Sequence, residues 1–351
     1  MIRSILAPVV ALACLASPSA LGASKVKVFI LAGQSNMEGK VQNKLLEHQA
    51  NDAKTKKLFA HLRDGDDWVV RDDVFVKFLG RHGGLTIGYG SRDRTGVELE
   101  LGHVLGEAYE EPVLLIKTAW GGHSLFKLFR PPSAGIPEDR IAAEHAKKVE
   151  QVRKNNEKKG KNDEPPTVES IRAEYGKSYR NMMKEIEETL DDLGSLFPEL
   201  KRKRPELAGF FWHQGWNDQY EGAEEEYEEN LELFIQDVRK DLDAPKLPFV
   251  IAVMGQNMSK PAKGPMLVIQ KAQLGMQKKR AFKGNVRAVR TDRLVDEAAE
   301  KLYPTWRENR EEWEKTGSDH PYHYLGSAIW HVRMGREFAE AMLELTGVRK
   351  R

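Results

Sequence analysis

Apolar residues in this chain come in blocks. Residues 28–32, 112–116, 207–212 and 248–254 are nearly continuous apolar runs, and a weaker one spans 285–291. A run that is apolar on both sides of the pleat suits a strand of a parallel sheet covered on both faces. Between these runs the spacing turns helical. Leu101, Val104, Leu105 and Ala108 fall on one stripe within 96–110, and Tyr175, Tyr179, Met182, Met183, Ile186 and Leu190 on another within 171–193. Leu231, Leu233, Phe234 and Val238 mark a helix within 220–242, residues 266–279 another, and an amphipathic helix closes the chain through Leu345. Strands alternating with helices predict a three-layer α/β/α sandwich around a central parallel sheet. Trp68-Val69-Val70 is expected to pair with residues 74–78 as an edge hairpin, and the glycine-rich stretch 83–90 to be a loop.

Three of the strands end in small and polar residues. The first leads into Gly33-Gln34-Ser35-Asn36-Met37, the second into Ala119-Trp120-Gly121-Gly122-His123-Ser124, and the third into Trp212-His213-Gln214-Gly215-Trp216-Asn217-Asp218. Open α/β sheets build their sites beyond the carboxyl ends of strands. Ser35 is a nucleophile only if a base takes its proton; otherwise it reads as an N-cap. The glycine pair removes side chains where backbone N–H groups could meet an oxyanion, although such a pair is also an ordinary turn. A base and its orienting acid are offered by Asp319-His320-Pro321-Tyr322-His323. His323 with Asp319 is preferred, since adjacent residues cannot readily turn Asp319 onto the His320 ring. His213 and Gln214 are neighbours on a strand and point to opposite faces, so they do not readily serve one pocket. His331, inside the last helix, reads as a structural residue.

These four blocks, in this order, resemble those of the SGNH/GDSL hydrolase superfamily, and more narrowly its sialate O-acetylesterase and carbohydrate acetylesterase branch. The resemblance implies a flavodoxin-like sheet, Ser35 as nucleophile, His323 as base and Asp319 as the acid that holds it. It implies an oxyanion hole from the N–H groups of Ser35 and Gly122 and the amide of Gln214, the last on the Trp-x-Gln-Gly pattern at 212–215. Glu98 stands where the family has the acid of a Gly-Pro-Glu motif, here with Val97 in place of proline; it reads equally as an acidic first helical turn. Asn36, Asn217, Asp218 and Arg130 are the remaining substrate contacts to be tested. The usual Asp-x-x-His is Asp-x-x-x-His here. The implied activity is removal of O-acetyl groups from a carbohydrate through an acyl-enzyme, without metal or organic cofactor. A non-catalytic carbohydrate-binding protein and a lipid or aryl esterase stay open as alternatives. Met37 breaks any Gly-x-Ser-x-Gly elbow, which argues against an α/β-hydrolase, and no metalloprotease spacing occurs.

Charge adds little: Lys and Arg number 55 against 53 Asp and Glu, so nothing is aimed at nucleic acid. Arg3, the apolar stretch 5–16 and small residues at 19–23 have the layout of a secretory signal peptide cut after Gly22, predicting a secreted or periplasmic protein. The apolar stretch is short for a membrane span, and Leu12-Ala13-Cys14 partly resembles a lipobox, which leaves a lipid anchor open. Cys14 is the sole cysteine, so the chain after Gly22 is expected to have neither disulfide nor thiolate chemistry. Residues 23–351 read as one esterase domain with a charged helical insertion at about 137–205, interrupted by a polar loop or exposed break at 155–166. The sugar and the oligomeric state are open.

Overall fold

The first apolar run becomes the middle of the sheet because both of its faces are greasy. Val26, Val28, Ile30 and Ala32 pack on one side, and Phe29 and Leu31 on the other. In the computed structural model, which describes residues 24–136 and 138–349, this run is strand β1 (Lys25–Gly33). The expected signal segment, with Cys14, lies outside the described residues. The other strands of its sheet are β2 (Val74–Phe78), β3 (Arg81–Gly84), β4 (Val113–Ala119), β5 (Arg204–His213), β6 (Phe249–Val253) and β7 (Val286–Arg290). Their order across the sheet is β7-β6-β5-β1-β4-β2-β3, with every pairing parallel except the β2–β3 hairpin at the edge.

Helices α1 (Glu98–Ala108), α2 (Glu138–Lys159), α3 (Lys177–Asp191), α4 (Tyr227–Asp241), α5 (Gly264–Met276) and α6 (Ala328–Thr346) are the long ones. The apolar stripes of α1 and α6 cover one face of the sheet; those of α3, α4 and α5 cover the other. Chemistry at each end sets the limits of α6: the Ser327 hydroxyl accepts from the Trp330 N–H, and Gly347 takes the left-handed conformation that ends it. The predicted α/β/α sandwich is therefore the observed one. Among the described residues no helix is long and apolar enough to cross a membrane.

Two local expectations are corrected. Val74–Phe78 does form a hairpin, but its partner is Arg81–Gly84, so part of the glycine-rich stretch is strand. Trp68 instead pairs backwards with Arg63, because the turn at Gly65, with φ +61°, closes a separate small ribbon. The expected break at 155–166 is shorter. Helix α2 runs on to Lys159, supported by Arg153 bridging Glu150 and Glu157 one turn to either side.

From β1 the chain first builds one half of the sheet (β2, β3, β4) and then crosses to build the other (β5, β6, β7). The reversal at β1 leaves a crevice at the carboxyl ends of β4, β1 and β5, where the three polar blocks lie.

Candidate active site

Register brings the blocks together. Gly33 is level with Ala119 on one side and with His213 on the other, so the three strands end at the same height. Gly33 has φ +150°, and a Cβ there would lie 2.2 Å from the His213 carbonyl oxygen; only glycine allows β5 this close. Ser35 then opens a single helical turn, Ser35–Glu38, and is buried but for a small exposed patch. A Cβ on Gly121 would lie 3.8 Å from that of Ser35, which places the glycine pair beside the hydroxyl-bearing carbon. Gly122 follows at φ +79°, a left-handed conformation with open space on its Cβ side.

The third block is a buried hub. Gln214 Nε2 donates to Asp218 Oδ2 (2.5 Å), to the His123 carbonyl (3.2 Å) and to Gln34 Oε1 (3.3 Å). Gln34 Oε1 also accepts from the Gly215 N–H at 3.1 Å, and Gln34 Nε2 donates to Asn217 Oδ1 at 3.0 Å. Asp218, with no exposed surface, accepts from the N–H groups of Leu125 (3.0 Å) and Phe126 (2.7 Å). It thus holds the loop that follows the glycine pair. Burial pushes the Asp218 carboxyl up to about 6, against the pull of Gln214 and the two N–H donors.

The fourth block folds back on itself. The His323 N–H donates to the His320 carbonyl at 2.9 Å, and this turn absorbs the extra residue of Asp-x-x-x-His. His323 Nδ1 thereby comes 3.0 Å from Asp319 Oδ2, at an angle short of hydrogen-bond alignment. Arg94 Nη1 donates to Asp319 Oδ2 at 2.8 Å, and the His320 N–H to Oδ1 at 2.8 Å. Burial alone would raise the Asp319 pKa, but His323, the His320 N–H and Arg94 together hold it well below the usual carboxylate range. Tyr324, the next residue, sits at φ +52° with its hydroxyl among Thr291 Oγ1 (3.0 Å), His213 Nε2 (3.1 Å) and the Gly255 N–H (3.3 Å).

Several residues singled out in the sequence are placed away from a substrate. Glu98 and Lys117 form an ion pair of 2.8 Å, both side chains wholly buried, and Glu98 Oε1 accepts from the Gly96 N–H. Burial lowers the Lys117 pKa, with Glu98 pulling it back. Arg130 is buried too, donating to Glu226 and to the carbonyls of Phe126 and Gly135. Asn36 is buried and joins the serine turn to the fourth block, so Glu98, Arg130, Asp218 and Asn36 are supports and not substrate contacts as placed. Gln214 divides two hydrogens among three internal acceptors, which makes it a brace in this arrangement; the oxyanion donation expected of it would require giving one up. Asn217 is half-buried and lines an open cavity. His213 is pushed down to about 3 and His331 to about 4 by burial, and neither is suited to act as the base.

The sequence pattern of the family described as carbohydrate esterase, sialic acid-specific acetylesterase (SASA), matches residues 25–344. The chain belongs to this family. Its membership supports a hydrolase acting on acetyl esters. Comparison with curated proteins gives no sequence match. Among solved structures, this SASA esterase chain is similar to a protein of Arabidopsis thaliana, with 16% identity over 90% of this chain and 97% of the other and a TM-score of 0.47. It is similar as well to XAC1771, a carbohydrate acetylesterase from Xanthomonas citri, with 13% identity over 92% of this chain and 57% of the other (TM-score 0.44). A third is NanS, with 12% identity over 76% of this chain and 77% of the other (TM-score 0.40).

Three residues of the SASA chain's site went unread in the sequence: Gln34, Arg94 and Tyr324. Gln34 sits inside the serine block, but its partners Gln214, Gly215 and Asn217 lie some 180 positions away. Arg94 carries no local signal, because its partner lies 225 positions away. For Tyr324, the hint is an aromatic directly following the histidine.

Proposed function

We propose that the chain is a serine esterase that removes acetyl groups from a carbohydrate. The observation that carries this reading is the common height at which β1, β4 and β5 end, which gathers Ser35, the glycine pair and Gln214, with the Asp319–His323 loop held to the serine turn through Asn36 and Tyr322. In the mechanism that follows, His323 takes the Ser35 proton as the oxygen attacks the acetyl carbonyl. Asp319, kept anionic and 3.0 Å from Nδ1, orients the ring once the two align and stabilises the imidazolium. The N–H groups of Ser35 and Gly122 receive the negative oxygen, each such donor contributing roughly 3 kcal/mol. The sugar hydroxyl leaves with the proton from His323; water, deprotonated by the same residue, then releases acetate from the acyl-serine. A secreted location follows from the signal-like segment and suits a polysaccharide substrate.

The test is acetate release from acetylated xylan and from a small aryl acetate, comparing the unmutated chain with Ser35→Ala. Turnover that disappears in the variant supports the serine mechanism. A folded, unmutated chain that binds sugar and hydrolyses neither ester would instead be the carbohydrate-binding protein.

A further inference from the structure

The charged insertion lies beside the site. Helix α2 has a single buried apolar residue, Ile141, which packs with Ile171 and Tyr175 away from the sheet. Between α2, the loop after the glycine pair and the loop after β5 lies a cavity of about 700 Å³. Its wall includes Ser124 and Asn217. Ser124 is two residues beyond Gly122, and Asn217 is bonded to Gln34, the neighbour of Ser35. The cavity therefore begins where two of the catalytic blocks end and runs outward under α2. It is within the size range of pockets that hold small organic ligands.

Its chemistry identifies the class of occupant. Tyr220 supplies the aromatic surface: it is 55% exposed, a large ring left uncovered beside a groove, whereas the rings of Phe126 and Tyr175 in the same wall already carry Arg140 and Lys127. Three of the four cations along the wall, Lys148 being the fourth, already have carboxylates: Lys127 with Glu144 at 2.5 Å, Lys147 with Glu221 at 2.7 Å, and Arg140 with Glu226 at 2.6 Å. An anionic ligand would have to displace these partners to reach any cation but Lys148. A neutral polyhydroxylated chain would not, because each hydroxyl both donates and accepts, so it can use ammonium, guanidinium and carboxylate side by side while a sugar face lies on a ring.

We propose that this groove is a subsite for a neutral oligosaccharide chain extending from the acetylated unit, so that the enzyme acts on oligomers and polymers in preference to an acetylated monosaccharide. The inference rests on the esterase reading above and narrows its substrate. Binding energy from units remote from the ester raises kcat/KM, so efficiency rises with chain length.

The experiment uses acetylated xylo-oligosaccharides from one to six units, with a small aryl acetate to report on the catalytic centre alone. The variants are Tyr220→Ala, which removes the exposed ring, and Ala143→Trp, which fills the groove from an exposed position on α2. Binding of unacetylated neutral and uronate-containing oligosaccharides to Ser35→Ala is measured by calorimetry. The expected result is a kcat/KM about tenfold or more higher for the longer chains, flattened in both variants, with aryl acetate hydrolysis unchanged and neutral chains bound. A flat length profile with intact aryl acetate turnover overturns the groove assignment while leaving the esterase reading in place, as does preference for uronate chains. If the unmutated chain hydrolyses no ester, that reading fails, and calorimetry still decides the groove: neutral chains bound and lost in Ala143→Trp support it, and no binding overturns it.

Discussion

Asn36 Nδ2 donates to the Tyr322 carbonyl at 3.0 Å, joining the residue after Ser35 to the residue before His323. Asn36 and Tyr322 are 286 positions apart, and their bond is a direct polar tie between the two blocks that hold the ends of the proposed proton transfer. Asn36 is buried while Tyr322 is exposed, so truncation costs the net worth of the hydrogen bond, about 0.5–1.5 kcal/mol. Asn36→Ala is expected to lower kcat/KM on an aryl acetate about tenfold with the far-ultraviolet circular dichroism unchanged. Full activity in a folded variant would mean that the loop is positioned without this bond.

Arg94 shares Asp319 Oδ2 with His323. Its charge helps to keep Asp319 anionic, and its guanidinium limits where the carboxylate can turn. In the proposed mechanism Asp319→Asn removes the carboxylate that orients the ring, and it is expected to cut kcat roughly 10³-fold. Arg94→Met leaves the carboxylate in place and is expected to cost about tenfold. Steady-state kinetics on one substrate check the ranking; an Arg94 variant more damaging than the Asp319 variant would assign the main role to Arg94 instead.

What could be read in the sequence was what is local. The apolar runs at 28–32, 112–116 and 248–254 became strands because burial on both faces is written into consecutive residues, and Ser35, Gly122 and His323 stand out as candidates because each lies in a short distinctive block. The supports were illegible because each is a long-range pairing. Arg94 meets Asp319, and Asp218 meets the backbone of Leu125 and Phe126, only after the sheet has assembled. The misassigned hairpin at Trp68 shows the same limit, since several strand partners fit its pattern and the turn at Gly65 selected one. One clue was visible: Lys117 directly follows four apolar residues within a strand, and a buried ammonium calls for a buried carboxylate.

That carboxylate is Glu98. With both side chains wholly buried, removing one partner leaves a charge without compensation, whereas replacing both by apolar groups does not. Glu98→Gln is expected to destabilise the protein by about 3–5 kcal/mol. The double replacement Glu98→Leu with Lys117→Met should recover most of that loss, as measured by urea unfolding. A double variant no more stable than the single one would show that the Gly96 N–H and the Tyr89 carbonyl, the pair's other partners, govern the effect.

Asp218 makes stability depend on pH with a sign opposite to that of the usual carboxylate. Its folded pKa is about 6 against an ordinary 3.8, so the folded state holds a proton that the unfolded chain has already released. The contribution is fully present below the ordinary value and is lost as pH rises through 6, amounting to about 3 kcal/mol in all. Other carboxylates, Asp319 among them, act in the reverse direction, with a contribution that is lost as pH falls, so the raw stability curve mixes both. Asp218→Asn isolates the effect, since asparagine does not titrate. The stability gap between the unmutated chain and this variant is expected to narrow from pH 4 to pH 7 in urea titrations. A gap that stays constant would mean that the three donors around Asp218 outweigh its burial and keep it ionised throughout.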